Sequence, residues 1–219
     1  EAGMPDELID IYDENMNLLG QAMKSHAHRE GLWHRTFHCW IIKKSPDGRP
    51  LVWLQLRSKH KEQYPNLLDI SSAGHLRTGE TPKDGIREIE KELGLKVDFD
   101  KLTKIFTRRL TLDIPGIINR EFCATYLLET DKKLSDLVMQ PEEVDGIAEA
   151  DVEDMINLFN GKVKNIYISG LMRNDDGTIS PRSGAVTVNE LVPHAHDYYL
   201  KVMNTVKRYF AGQKQFDED

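Results

Sequence analysis

The order of apolar and polar runs predicts an α/β fold, a mixed sheet with helices packed on its faces. Three observations carry this. Runs rich in β-branched and aromatic residues at 36–43, 51–57, 102–112 and 121–129 read as strands. Apolar residues recur at helical spacing in 82–93, 151–159 and 196–210. The order along the chain is strands, helix, strands, helix, helix, with no internal repeat and no low-complexity linker.

At the start, 7–12 and 17–22 flank Asp13-Glu14-Asn15 and form a short hairpin with a polar turn. A His-rich polar lead-in gives way to the strand 36–43. Ser45-Pro46-Asp47-Gly48 is a strong turn signal and the strand 51–57 lies beyond it, so these two strands pair. A loop with Tyr64-Pro65-Asn66 leads into the stretch 71–95. Its helix, 82–93, sets Ile86, Ile89 and Leu93 on one apolar face, and Gly94 supplies the stop. The strands 102–112 and 121–129 are divided by a turn at Pro115-Gly116. In 151–159, Val152, Met155, Ile156 and Phe159 face inward. The helix 196–210 carries Tyr199, Val202, Met203, Val206 and Phe210 on one stripe, which suits core packing or a homodimer interface.

A chain of 219 residues with 39% hydrophobic content is long enough for one domain with a full core. The net charge of -7 argues against a nucleic-acid groove, which draws on clustered Lys and Arg. Short basic stretches at 57–61 and 108–109 are solvated faces or contacts to an anionic substrate. Cys39 and Cys123 lie in apolar runs and read as small core residues in a reducing compartment, not as a disulfide scaffold. With no secretory leader and no apolar run of about eighteen residues, a soluble cytoplasmic protein without a membrane partner is expected.

The chemistry concentrates in 71–95. Glu88 and Glu92 are i, i+4 neighbours on one helix face, a spacing at which like charges cost stability unless a positive group lies between them. A divalent cation is such a group, and hard oxygen ligands favour Mg²⁺ or Mn²⁺. The plainer alternative is a solvated acidic face paired with Lys83, Arg87 and Lys91. Gly74, in the turn before the helix, permits a close approach of backbone or ligand.

The order Gly74, Glu80, Arg87-Glu88-Ile89, Glu92, Gly94-Leu95 resembles the Nudix box, in which a Gly is followed by five residues, Glu, seven residues, then Arg-Glu-aliphatic-x-Glu-Glu-x-Gly-aliphatic. Two positions depart from it. Only the six residues 81–86 separate Glu80 from Arg87, and Lys91 stands where the first Glu of the pair belongs. The resemblance implies a Nudix-type α/β/α sandwich in which Arg87 orients the carboxylates by a salt bridge and Glu88 and Glu92 bind metal. It also implies that Gly74 offers its carbonyl to the metal and that Glu80 supports the site from the helix start. An ammonium at Lys91 implies fewer or weaker metal sites, or a lysine that neutralises a carboxylate or holds a phosphate oxygen.

The surroundings, HREGLWHRTFHCWII, LVWLQLRS, YPNLLDISSAGHL and NREFCATYLL, resemble the Nudix branch related to type I isopentenyl diphosphate isomerase, over about residues 8–152. In that isomerase, histidines and glutamates build a metal site, and a cysteine just before a Gly-His step is catalytic. Here Ala73 precedes Gly74-His75, so isomerisation would lack one of its two proton-transfer groups. His28, His34, His75 and Glu121 fall at or near the isomerase's ligand positions, and Asn119 stands where a further glutamate would be. Imidazole and carboxylate together suit Mn, Zn or Fe as well as Mg.

The expected activity is metal-dependent hydrolysis of a diphosphate bond in a nucleoside diphosphate derivative or similar small organic diphosphate, with Mg²⁺ or Mn²⁺ as cofactor. Glu88, Glu92, Arg87 and Glu121 are the expected catalytic residues, and Lys91 and Arg57 the substrate-binding ones. Gly74, Glu80, Glu88, Glu92 and Glu121 form the expected metal set, with His28, His34 and His75 as further candidates. Glu121 enters as a third carboxylate or general base on a strand facing the helix, with Glu142 and Glu143 as candidates for the same job. A non-catalytic diphosphate-binding module, which Lys91 favours, and an isomerase-like protein are the alternatives. Specificity is expected in 59–66, 108–119 and 166–183, with Trp33 or Trp40 stacking a base. The chain divides into an N-terminal hairpin and lead-in at 1–27, a Nudix core at 28–162 and a C-terminal extension packed on the core at 163–219.

Overall fold

The computed structural model describes residues 5–216, so the first four residues of the 1–27 segment and the last three of the 163–219 extension lie outside the described residues. β1 (Leu8–Tyr12) and β2 (Leu18–Met23) form the expected hairpin, its turn held by Asp13, whose carboxylate accepts from Asn15 N and Asn17 N at 2.9 Å each. The polar lead-in contains a helix, α1 (Lys24–Glu30), that buries only Ala27. Next come β3 (Trp33–Lys44) and β4 (Pro50–Arg57), paired as expected through the 45–49 turn. Two short strands follow, β5 (Leu68–Asp69) on β4 and β6 (Ser72–His75) on β3.

The helix expected over 82–93 is a 3₁₀ turn, Pro82–Gly85, followed by α2 (Ile86–Leu93). Thr81 and Asp84 form a capping box around Pro82, and Gly94 ends α2 in the left-handed conformation. Gly85 is required by packing, since a Cβ there would lie 2.4 Å from Phe37 Cγ. β7 (Leu102–Ile114) and β8 (Ile117–Glu129) make a long hairpin about Pro115-Gly116. β9 (Val144–Asp151) runs into α3 (Val152–Phe159), whose cap is Asp151, accepting from Glu153 N and Asp154 N. β10 (Ile166–Arg173) and β11 (Ile179–Val186) form a hairpin, and α4 (His196–Phe210) follows.

The described strands join one mixed sheet ordered β11-β10-β9-β4-β3-β1-β2. β8 lies parallel to β3 from Trp33↔Arg120 to Ile42↔Glu129, while β6 and β4 flank β3 on its other edge. Alternation along β3 and β4 sends Trp40, Ile42, Val52 and Leu54 into a core with α3 and α4. Phe37, Cys39, Ile41 and Trp53 go to the opposite core, with Ile89 and Leu93 of α2. These are the layers of the expected α/β/α sandwich.

Some expectations change. Of the segments expected to carry specificity, 166–183 is a β-hairpin, and most of 108–119 is the arms and tip of the β7–β8 hairpin. Trp40 is fully buried and donates to Tyr198 Oη at 3.1 Å, so its ring is not presented to a base, while one face of the part-buried Trp33 ring stacks on Phe122 with centroids 4.7 Å apart. Among the described residues no helix is long and apolar enough to cross a membrane.

Candidate active site and metal centre

α2 places Glu88 and Glu92 inward, both buried, while Lys91 is exposed and makes no contact with either carboxylate among the described residues. Arg87 carries the salt bridge expected of it. Its Nε donates to Glu80 Oε2 at 3.0 Å and its Nη2 to Glu80 Oε1 at 2.7 Å, and Nη1 contacts Glu88 Oε1. The short spacer between Glu80 and Arg87 is thus absorbed by the 3₁₀ turn. Both oxygens of Glu80 are committed to Arg87, and Oε1 also accepts from Arg77 N at 2.7 Å, so Glu80 supports the site without a free ligand oxygen.

Gly74 is where the sheet meets Glu88. A Cβ on Gly74 would lie 2.6 Å from Glu88 Cδ, so only glycine admits that carboxylate. Its carbonyl is less open than expected. Leu76 N donates to Arg35 O at 3.0 Å, so the hydrogen-bonded pairs of the antiparallel β3–β6 ladder are 35/76 and, two residues on, 37/74. The Gly74 carbonyl therefore accepts from Phe37, and the Ala73 and His75 carbonyls turn away from β3. That of His75 accepts from Arg87 Nη2 at 3.2 Å.

Glu92 is a different kind of carboxyl. Its oxygens accept from Ser72 Oγ at 2.9 Å and Gln55 Nε2 at 3.0 Å, and burial, then the charge of Glu88, pushes it up to about 8. It holds a proton near neutral pH, with Ser72 and Gln55 each engaging one of its oxygens.

Glu121 does not face α2. Thr36 pairs with both Cys123 and His75 across its two neighbours, and Thr36 Oγ1 lies 3.4 Å from Glu121 Oε2, on the side of the sheet opposite Gly74, Phe37 and α2. There Glu121 meets the three candidate histidines, brought by α1, β3 and β6. One ligand atom from each of His28, His34, His75 and Glu121 falls within 4.8 Å of all the others. Glu121 Oε1 is 3.6 Å from His34 Nε2 and 3.7 Å from His75 Nε2, and the His28 and His75 Nε2 atoms are 3.3 Å apart.

These residues fit a divalent cation. His34 is fully buried, its Nδ1–H donates to Leu32 O at 2.9 Å, and its Nε2, aimed at the cluster, has no hydrogen-bond partner. Burial, then the neighbouring His34, holds His28 down to about 4 and His75 well below the usual imidazole range, which keeps both rings in the neutral form that ligates. Asn119, two residues before Glu121 and so on the same side, has a buried Oδ1 with no partner.

A polar network extends from this cluster beneath α4. Trp40 Nε1–H donates to the Tyr198 hydroxyl at 3.1 Å, and that hydroxyl is hydrogen-bonded to His38 Nδ1, 2.7 Å away. Further along, His194 Nε2 donates to Asp69 Oδ1 at 2.8 Å, and Arg57 donates to Asp69 Oδ2 at 3.1 Å and twice to Gln63 O. Arg57, expected to bind substrate, is thus occupied within the fold. Glu143 is paired with Lys61, and Glu142 lines a separate cavity of about 770 Å³. That cavity, bordered also by Lys59, Arg173 and Arg182, joins two of the segments expected to carry specificity.

A family model described as NUDIX domain matches residues 32–168. The chain is 31% identical over 203 residues to a protein of Clostridium acetobutylicum named as an uncharacterized Nudix hydrolase, covering 93% of this chain and 98% of that one. It is 32% identical to Nudix hydrolase 3 of Arabidopsis thaliana over 72% of this chain but only 21% of that protein. Against an isopentenyl-diphosphate Delta-isomerase of Kocuria rhizophila the identity is 32%, over 60% of this chain and 71% of the other. Among solved structures, a MutT/nudix family protein from Enterococcus faecalis superposes with a TM-score of 0.55 at 12% identity, covering 83% of this chain and 65% of that one, a likeness of fold.

Proposed function

The chain belongs to the Nudix hydrolase family, and from that premise we propose that it hydrolyses the diphosphate bond of a small organic diphosphate with Mg²⁺ or Mn²⁺ as its cofactor. The observation that carries this reading is the convergence of His28, His34, His75 and Glu121 on one face of the sheet, with the unpartnered His34 Nε2 among them and the Arg87-held Glu88 across the sheet at Gly74. When bound, a divalent cation supplies positive charge to the phosphoryl oxygens and eases deprotonation of the attacking water.

The chain's own groups do the rest. His34, fixed through Leu32, and the neutral His28 and His75 hold the cation, and Glu121 contributes the compensating negative charge. Glu121, the carboxylate inside the cluster, is the base for the attacking water, while Glu88, pinned by Arg87 against Gly74 on the other face, steadies the strand that carries His75. Protonated Glu92 keeps Ser72 and Gln55 in place behind it. The relative named as an isomerase makes prenyl diphosphates a substrate class to test beside nucleoside diphosphate derivatives. Isomerisation itself meets Ala73, which offers no proton-transfer group.

Phosphorus NMR of a mixture of nucleoside diphosphate derivatives, nucleoside triphosphates and isopentenyl diphosphate, with and without Mg²⁺ or Mn²⁺, tests the reading. One diphosphate signal is expected to disappear only when metal is present, and about a hundredfold more slowly in Glu121→Gln. Persistence of every signal with the wild type overturns the proposal.

A further inference from the structure

Three of the buried polar atoms left without a hydrogen-bond partner, His34 Nε2, Asn119 Oδ1 and Arg108 Nη1, belong to one patch of the sheet. Arg108 stands opposite Cys123 in the β7–β8 ladder, so both side chains leave the sheet on the same side. Cys123 Sγ in turn lies 3.5 Å from Glu121 Oε2. The Arg108 guanidinium packs over the Tyr198 ring, 4.4 Å from its centroid, next to the His38 network. Its ion pair is with Asp197, Nη2 to Oδ1 at 3.6 Å, and that carboxylate is 86% exposed while the Arg108 side chain is only 16% exposed. A long pair to a solvated carboxylate offsets little of the charge, and a guanidinium cannot shed its proton.

The unmet atoms differ in sign along β8. The Asn119 Oδ1 acceptor, Glu121 and the histidine cluster lie at the 119–121 end, and the donor lies at the 123 end, roughly 7 Å further along the strand. A ligand that satisfies both ends is positive at one and negative at the other, as a divalent cation carrying a phosphate group is. We propose that Arg108 is a substrate-binding residue whose unpaired guanidinium N–H takes an anionic oxygen of the substrate's diphosphate, on the far side of that group from the histidine cluster. The identity of the substrate rests on the diphosphatase reading; the anion site itself does not.

Calorimetric titration of inorganic pyrophosphate into the full chain in the presence of Mn²⁺ tests this. Arg108→Gln is expected to weaken binding about tenfold or more, and Asp197→Asn to leave it as tight as in the wild type. Arg108→Lys keeps the charge and the stem over Tyr198 but lacks the planar fork, and an intermediate loss of about threefold is expected, which keeps the test decisive should the glutamine variant not fold. Wild-type affinity in the arginine variants, or no pyrophosphate binding by the wild type, overturns the proposal. A wild type that binds pyrophosphate in this way yet hydrolyses no organic diphosphate overturns the hydrolase reading and leaves the anion site standing.

Discussion

Glu92 shows how a single carboxyl in this site ties stability to pH. Buried beneath Ser72 and Gln55 and close to Glu88, it keeps its proton up to about pH 8, against 4.5 for an ordinary glutamate. A group that binds its proton more tightly when folded contributes stability that is complete below pH 4.5 and is lost as pH rises through 8. In melting curves from pH 5 to 8 the wild type is therefore expected to lose Tm relative to Glu92→Gln, which cannot titrate; parallel profiles would refute this. At this scale the sequence was only partly legible. Glu88, Glu92 and Arg87 declare themselves by spacing on one helix. Glu121 does not, because REFCATYLL is apolar on both faces and carries no alternation to set the phase of the strand. The histidine cluster draws on four separate elements, so no spacing rule finds it, and only the family resemblance pointed there. Arg108 read as one of a basic pair, and its buried, unpartnered Nη1 appears only once Cys123 and Tyr198 are seen beside it.

For the elements, the start of α2 is the most exacting. Phe37 is fully buried in the sheet and presses on Gly85, so an added methyl has nowhere to go. Gly85→Ala is expected to cost about 1–3 kcal/mol, read as a lower urea midpoint at unchanged slope. Gly184→Ala, with nothing within 4 Å of its added carbon, serves as the silent control, and equal midpoints for the two would refute the packing argument. Strands bounded by strong turns, such as β3 and β4, were legible because turn chemistry and apolar runs agree. β9 was not, since VDGIAEAD is small and acidic and owes its strand to β4 and β10 on either side. α1 escaped for a related reason, having one buried residue and therefore no apolar stripe.

Across the whole molecule, the proposed cation site joins elements far apart in the chain. His28 comes from the first helix, His34 and Glu121 from the paired β3 and β8, and His75 from β6, so binding at the cluster favours only the fully assembled chain. At a hundredfold excess over Kd, Mn²⁺ is expected to add about 2.7 kcal/mol of stability, and none in His34→Ala, as thermal melting would show. The layered α/β/α order was legible because helical and strand-like periods alternate clearly along the chain. The closure of β3 on β8 has a kinetic side. Thr36 and Glu121, neighbours in the finished site, are 85 residues apart in the chain. Contacts of such long range are slow to form, because loop-closure entropy is spent before they return anything. If the histidine cluster assembles after the rate-limiting barrier, a cation meets its ligands only in a nearly native chain. Mn²⁺ then acts as a brake on opening: in stopped-flow experiments refolding should proceed at the same rate with or without it, while unfolding slows.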